Sequence, residues 1–332
     1  MEAGELMVII YVFLSLMLFL GGLKIMSAGL AELGGSSFAQ AVRHWTGQRG
    51  SAFLVGVFFT ALTQSSSLAT VIVVGMVDAR IISLGAAIAV IAGANVGTTV
   101  TGQLISFRVY DYAPLLVAAG TIFFLSSRKG RRREAGRALL GLGILLSGLN
   151  TMHSFLVPQA EKAWVKEFLE MAAINPSVAI FAGAAVTAIV QSSSAVMALT
   201  IALAQEGVLS LAAGVGILVG ADVGTCVTSL LAGLGTGVNA RRAAVAHLVF
   251  NLLSMAIVLP VFQLLLTVAA ASAEIMPRQL ANAHTIYNLS GAVMLLIFLS
   301  PFQLCIERLI MPENTVKRRI LGKFGEIIKK WF

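Results

Sequence analysis

One polar stretch occurs twice in this chain, and it limits the fold more than any other feature. Gln64-Ser65-Ser66-Ser67 returns as Gln191-Ser192-Ser193-Ser194. Thr60-Ala61 precedes the first copy and Thr187-Ala188 the second, at the same distance. A second motif follows each copy, first as Gly93-Ala94-Asn95-Val96-Gly97-Thr98 and then as Gly220-Ala221-Asp222-Val223-Gly224-Thr225. The offset is 127 residues at both motifs, and about 17 of 45 positions agree without a gap between 60–104 and 187–231. Two polar motifs held in register across a long apolar spacer mark an internal repeat.

Each serine motif sits between apolar runs too short to cross a bilayer, which takes roughly 20 residues. The runs are 51–63 and 68–77 around the first copy, and 176–190 and 195–204 around the second. Each copy therefore reads as a re-entrant hairpin, since irregular backbone at membrane depth needs protein or a cavity around it. The second motif places glycines and threonines inside longer apolar runs, 81–107 and 208–231, which predicts two broken helices. Further crossings are expected at 6–23, 112–125, 138–156, 243–271 and 279–304, with Pro260 inside the fourth of these. Residues 24–50 read as a partly interfacial helix and 157–175 as a mixed loop. The chain is 58% hydrophobic and 11% charged, against about a quarter charged in soluble domains. The expected class is an all-α integral membrane protein, an inverted-repeat secondary transporter with about seven full spans.

Charge placement orients this plan. The net charge of +8 is spread between and after apolar runs, which fits topology and lipid headgroups rather than nucleic acid. The densest basic loop, 126–137, carries Arg128, Lys129, Arg131, Arg132, Arg133 and Arg137. Placing it in the cytoplasm puts the N-terminus outside, the first hairpin entering from the cytoplasm and the second from outside. The C-terminus then lies in the cytoplasm of a multi-pass protein of the cell membrane. The two copies thus run in opposite directions. The expected units are a first repeat at 1–126, a second with extra spans at 127–304, and a basic amphipathic tail at 305–332 on an anionic lipid face. Cys226 and Cys305 lie in apolar segments and make neither a metal spacing nor a disulfide framework.

The turns have a definite chemistry. Each ends one half-helix and opens another, whose first N–H groups lack internal partners and carry the positive end of the helix dipole. Ser65, Ser66 and Ser67, with Ser192, Ser193 and Ser194, add neutral hydroxyl donors. Two such turns facing each other suit an oxyanion such as hydrogen phosphate. No lysine or arginine lies within either hairpin near its turn, so a salt-bridged anion is not expected. A dianion in lipid calls for cations beside it. Oxygen ligands for sodium are available at Gln64, Gln191, Asn95, Asp222, Thr98, Thr101, Thr225 and Thr228. Asp222 is the one acid deep in an apolar stretch, and such a residue is functional by default. Plainer roles stand beside these. Serine turns can simply cap helices and join a bundle, and threonines can bond back to their own helix. Asn95 and Asp222 can brace the hairpin tips. His247 with Asn251, and His284 with Asn288, share a helix face at i, i+4 and read as helix–helix hydrogen bonding.

The paired motif resembles the type II sodium–phosphate cotransporter family. So do residues 241–251, and Ala283-His284-Thr285-Ile286-Tyr287-Asn288 recurs in the same style. The resemblance covers most of 10–305. It implies sodium-driven uptake of inorganic phosphate bound between the two serine triplets, with no cofactor beyond sodium as the coupling ion; no enzyme is expected, since the sequence has no P-loop, no metal-ligand cluster and no serine-histidine-acid constellation in a soluble context. Two positions depart from the family pattern: Leu68 stands where many relatives have threonine, and Asp222 where asparagine is usual. They leave open a proton-coupled carrier of phosphate or another oxyanion, and the basic tail leaves open a non-transporting membrane regulator. The cytoplasmic helical domain that ends many bacterial relatives is not expected here, and a homodimer is left open.

Overall fold

The computed structural model describes residues 3–34, 42, 44, 45, 47–107, 112–156, 158, 159 and 162–311. The 108–111 connection and the basic tail from residue 312 lie outside the described residues. Among the described residues all regular structure is helical. After α1 (Ala3–Gly34), the first hairpin is α2 (Arg49–Thr63) and α3 (Ser66–Asp78), and α4 (Leu84–Ile105) carries the first copy of the second motif. Then come α5 (Ala113–Ser126), α6 (Arg131–Leu156) and α7 (Ala163–Ile174). The second hairpin is α8 (Pro176–Val190) and α9 (Ser193–Gln205), and α10 (Leu211–Gly224) and α11 (Cys226–Gly233) carry the second copy of the second motif. It is followed by α12 (Val238–Val258), α13 (Phe262–Ala271), α14 (Met276–Ile297) and α15 (Leu299–Leu309).

Among the described residues six helical segments are long and apolar enough to cross a membrane, and a seventh is counted if α7 and α8, bent by 118°, form one span. The chain is an all-α integral membrane protein. The crossing expected at 112–125 is the 14-residue α5, about 21 Å long at the helical rise and short of a full span. The first expected span does not stop at Lys24, because nothing there breaks it, and α1 runs on to Gly34. The stretch expected as a mixed loop contains α7, whose charged residues hide it from an apolar-run reading. Asn175 then caps α8, accepting from the Ser177 N–H at 3.0 Å, with Pro176 opening the helix. Pro260 sits in a single 3-10 turn (Leu259–Val261) between α12 and α13.

One expected break is absent. α4 runs unbroken through Gly93–Thr101, whereas the second copy is interrupted only at Thr225, between α10 and α11. The glycines act in packing instead. A Cβ at Gly93 would lie 2.0 Å from the Phe53 carbonyl oxygen, and one at Gly56 2.1 Å from that of Val90. The second copy repeats this seam: Gly220 against Ile180 at 1.9 Å and Gly183 against Ile217 at 2.1 Å. Helices in lipid associate through such close backbone approach. Later residues of α4 meet later residues of α2, so the two run parallel, and α8 and α10 do the same.

The inversion follows from α14, which touches both copies. The start of α14 meets the end of α4, where Gln103 donates to Asn282 at 3.0 Å, while Gln303 beyond its end meets Gly85 at the start of α4. Against α10 the order is the reverse: Leu280 meets Gly214, and Asn288 meets Asp222. α14 is therefore antiparallel to α4 and parallel to α10, so the two copies run in opposite senses. Apolar packing divides in the same way, with Val73, Ile88 and Phe250 around the first hairpin and Phe19, Leu146, Ile201 and Leu218 around the second.

Candidate functional site

Both hairpins reverse in two residues by the same means. Gln64 and Gln191 adopt left-handed backbone, with φ 54° and 57°, and donate their N–H groups back to Thr60 O at 2.7 Å and Thr187 O at 2.6 Å. A left-handed residue other than glycine costs about 1–2 kcal/mol. The same cost at the same place in both copies marks the reversal as a requirement of the fold. Ser65 and Ser192 then turn extended and cap the next helix, accepting from the N–H groups of Leu68 and Ala195, each at 3.2 Å. Thr60 and Thr187, the shared residues ahead of the motifs, are fully buried against Gly97 and Gly224.

The two elbows meet. One cavity of about 250 Å³ is lined by Gln64 to Leu68 from the first and Gln191 to Ser194 from the second. All six serines expected at an anion site border it. The N-termini of α3 and α9 open at the same place, so both helix dipoles present their positive ends to the cavity. The elbows are not equivalent. Gln64 is buried, and its Oε1 accepts from Thr101 Oγ1 at 2.6 Å. Gln191 is exposed, and its counterpart threonine, Thr228, donates back to Thr225 O at 2.7 Å and lies across from Ser67 Oγ at 3.3 Å.

The second motif forms a layer behind the cavity and does not line it. Asn95 donates to Asn251 Oδ1 at 2.6 Å, and its own Oδ1 lies 3.3 Å from His247 Nε2. Asp222 Oδ2 accepts from Asn288 Nδ2 at 2.7 Å and lies 3.0 Å from His284 Nε2. The two His-x-x-x-Asn pairs thus make helix–helix hydrogen bonds, each gripping the centre of one repeat. Thr98 bonds back to Ala94 O at 3.0 Å. The Thr225 hydroxyl oxygen is buried without a hydrogen-bond partner among the described residues. Among the described residues no group of three or more His, Cys, Asp or Glu side chains could hold a metal ion. Removing one partner in such a buried pair strands the other, at a cost of about 1–3 kcal/mol. Asn251→Leu is therefore expected to lower the melting temperature in detergent, because Asn95 loses its acceptor.

Sequence reasoning missed the wall supplied by α1. Leu20, Leu23, Lys24 and Ser27 complete the cavity, so a lysine does stand at this site, although none lies within either hairpin. No local motif marks it, since α1 precedes the matched stretch 60–104 and reaches the elbows only through tertiary packing.

Comparison with known proteins places this arrangement. The model of the Na+/Pi-cotransporter family matches residues 18–154 and 156–296. YqeW of Bacillus subtilis (strain 168), whose name assigns no activity, is 30% identical over 309 residues, covering 92% of this chain and 99% of YqeW. YjbB of Escherichia coli (strain K12), by its name a proposed inorganic phosphate export protein, is 26% identical over 306 residues. That match covers 92% of this chain and only 56% of YjbB. Human sodium-dependent phosphate transport protein 2B is 45% identical over 53 residues, 16% of this chain and 8% of its own length. No solved structure matches the chain.

Proposed function

This chain belongs to the Na+/Pi-cotransporter family, and on that premise we propose that it is a sodium-coupled symporter of inorganic phosphate. The observation that carries the reading is the single cavity shared by two serine elbows of opposite sense. Phosphate accepts from Ser66, Ser67, Ser193 and Ser194, while Ser65 and Ser192 hold the helix starts in place. Neutral donors compensate an oxyanion without binding it as tightly as a bidentate arginine would. Sodium takes oxygen ligands from Gln64, Gln191, Thr101 and Thr228 beside the cavity, and from Asn95, Asp222, Thr98 and Thr225 behind it. The hydroxyl of Thr225, without a partner among the described residues, suits a cation that prefers oxygen ligands. The basic loop between α5 and α6 faces the cytoplasm of a cell membrane.

Relatives carry names that point to export as well as to sodium-dependent transport, so direction is set by the gradients. Purified protein in liposomes is expected to accumulate labelled phosphate when sodium is higher outside, and to lose it when that gradient is reversed. Uptake indifferent to sodium but driven by a proton gradient would replace this reading with proton coupling, for which the buried Asp222–His284 contact at 3.0 Å supplies the chemistry. No phosphate flux under either gradient would leave a non-transporting regulator.

A further inference from the structure

The cavity has a third wall that neither hairpin supplies. Leu20, Leu23, Lys24 and Ser27 lie at i, i+3, i+4 and i+7 of α1, one face of a helix, and all four border the space between the elbows. A seam with α6 sets that face. A Cβ at Gly22 would lie 2.3 Å from Leu145 N, and one at Gly29 2.6 Å from Ala138 N. From the other side, Gly141 meets Met26 N at 2.1 Å and Gly148 meets Phe19 N at 2.4 Å. Backbone this close on both sides admits one rotation of α1, and it turns Lys24 towards the elbows. α1 also packs against α2 and α9, one helix from each hairpin.

Among the described residues Lys24 is the single charged one lining the cavity. Among the described residues it makes no ion pair. An ammonium is a compact point charge on a flexible stem with three donors, without the planar fork that fixes a bidentate arginine complex. We propose that Lys24 is the charge-bearing member of the anion site. The elbows supply neutral donors that fit the shape of a tetrahedral oxyanion, and Lys24 supplies the positive charge that selects an ionised one. This rests on the transport reading given above. It places the charge on a helix that belongs to neither hairpin, so that α1 and the elbows must come together for tight binding.

The test uses charge replacement in proteoliposomes, with inorganic phosphate as the probe. Lys24→Cys is made in a Cys305→Ser background, since Cys226 is buried and Cys305 exposed. The thiol is then converted to an aminoethyl, a methyl or a sulfonatoethyl mixed disulfide. Lys24→Cys is expected to raise KM for phosphate about tenfold, or about 1.4 kcal/mol, with little change in maximal rate. The aminoethyl adduct returns KM towards the parent value, the methyl adduct does not, and the sulfonatoethyl adduct raises it further. Lys24→Arg keeps KM low. An unchanged KM in Lys24→Cys, or one common effect of all three adducts, overturns the proposal while leaving phosphate transport standing. Absence of phosphate uptake in the parent protein removes the transport reading itself, and this inference with it.

Discussion

Ser66→Ala combined with Ser193→Ala is expected to abolish measurable phosphate uptake in liposomes while leaving the protein folded. Both side chains are nearly buried, at 5% and 6% exposure, and both sit in the first turn of a helix beside the shared cavity. Hydrogen bonds to a charged group are worth about 1.5–3 kcal/mol each. Losing one from each elbow therefore weakens phosphate binding by about 3–6 kcal/mol, or about two to four orders of magnitude. The fold is spared because Ser65 and Ser192 still cap the helices. The control reverses this logic: Ser65→Ala with Ser192→Ala removes the caps, at about 1 kcal/mol each, and lowers the melting temperature. Unchanged uptake in the first pair, with melting also unchanged, would show that the cavity is not where phosphate binds.

Gly220→Ala is expected to remove most folded protein from the membrane. One methyl group there would stand 1.9 Å from the Ile180 carbonyl oxygen and 2.9 Å from the Ala184 nitrogen, both backbone atoms that cannot swing aside. Ordinary overpacking costs about 1–3 kcal/mol; a forced separation of two helix backbones lies at or above the top of that range. Gly93→Ala meets the same obstacle at Phe53 O and 2.0 Å. Gly75→Ala is the contrasting case. It lies in α3 with nothing within 4 Å of the added atom, and an alanine inside a helix gains about 0.5–1 kcal/mol over glycine. The first two variants should melt lower or fail to accumulate, and the third should melt slightly higher. Equal melting of Gly220→Ala and the parent would mean that the α8–α10 seam has room to spare.

How far the sequence could be read depended on whether a feature was local. The two serine turns were legible because a polar tetrad between two short apolar runs can do little in a membrane except reverse the chain. Their opposite sense was legible from basic-residue placement, and the way α14 touches α4 and α10 agrees with it. The His-x-x-x-Asn pairs were legible as helix–helix hydrogen bonds from i, i+4 spacing. The glycines of the second motif misled, because a glycine that lets a neighbouring backbone approach looks the same in sequence as one that lets a helix break. Gly93 and Gly97 do the first without the second. α7 was hidden by Lys166, Glu167 and Glu170, which lower its apolar content without preventing a helix. Lys24 was hidden by distance along the chain. Only the α1–α6 seam brings it to the elbows, and no one-dimensional pattern records that encounter.

The vessel between the elbows also bears on ancestry. Its walls come from both halves of a duplicated sequence, so neither half could have inherited it alone. A gene fragment carrying one copy would still encode a capped, glycine-packed hairpin, yet that hairpin would enclose nothing. A single-copy ancestor would have had to pair with a second molecule inserted the other way up in the membrane. Fusing the two into one polypeptide makes that meeting certain, and it frees each half to diverge, as the asparagine and the aspartate at the matching positions already have.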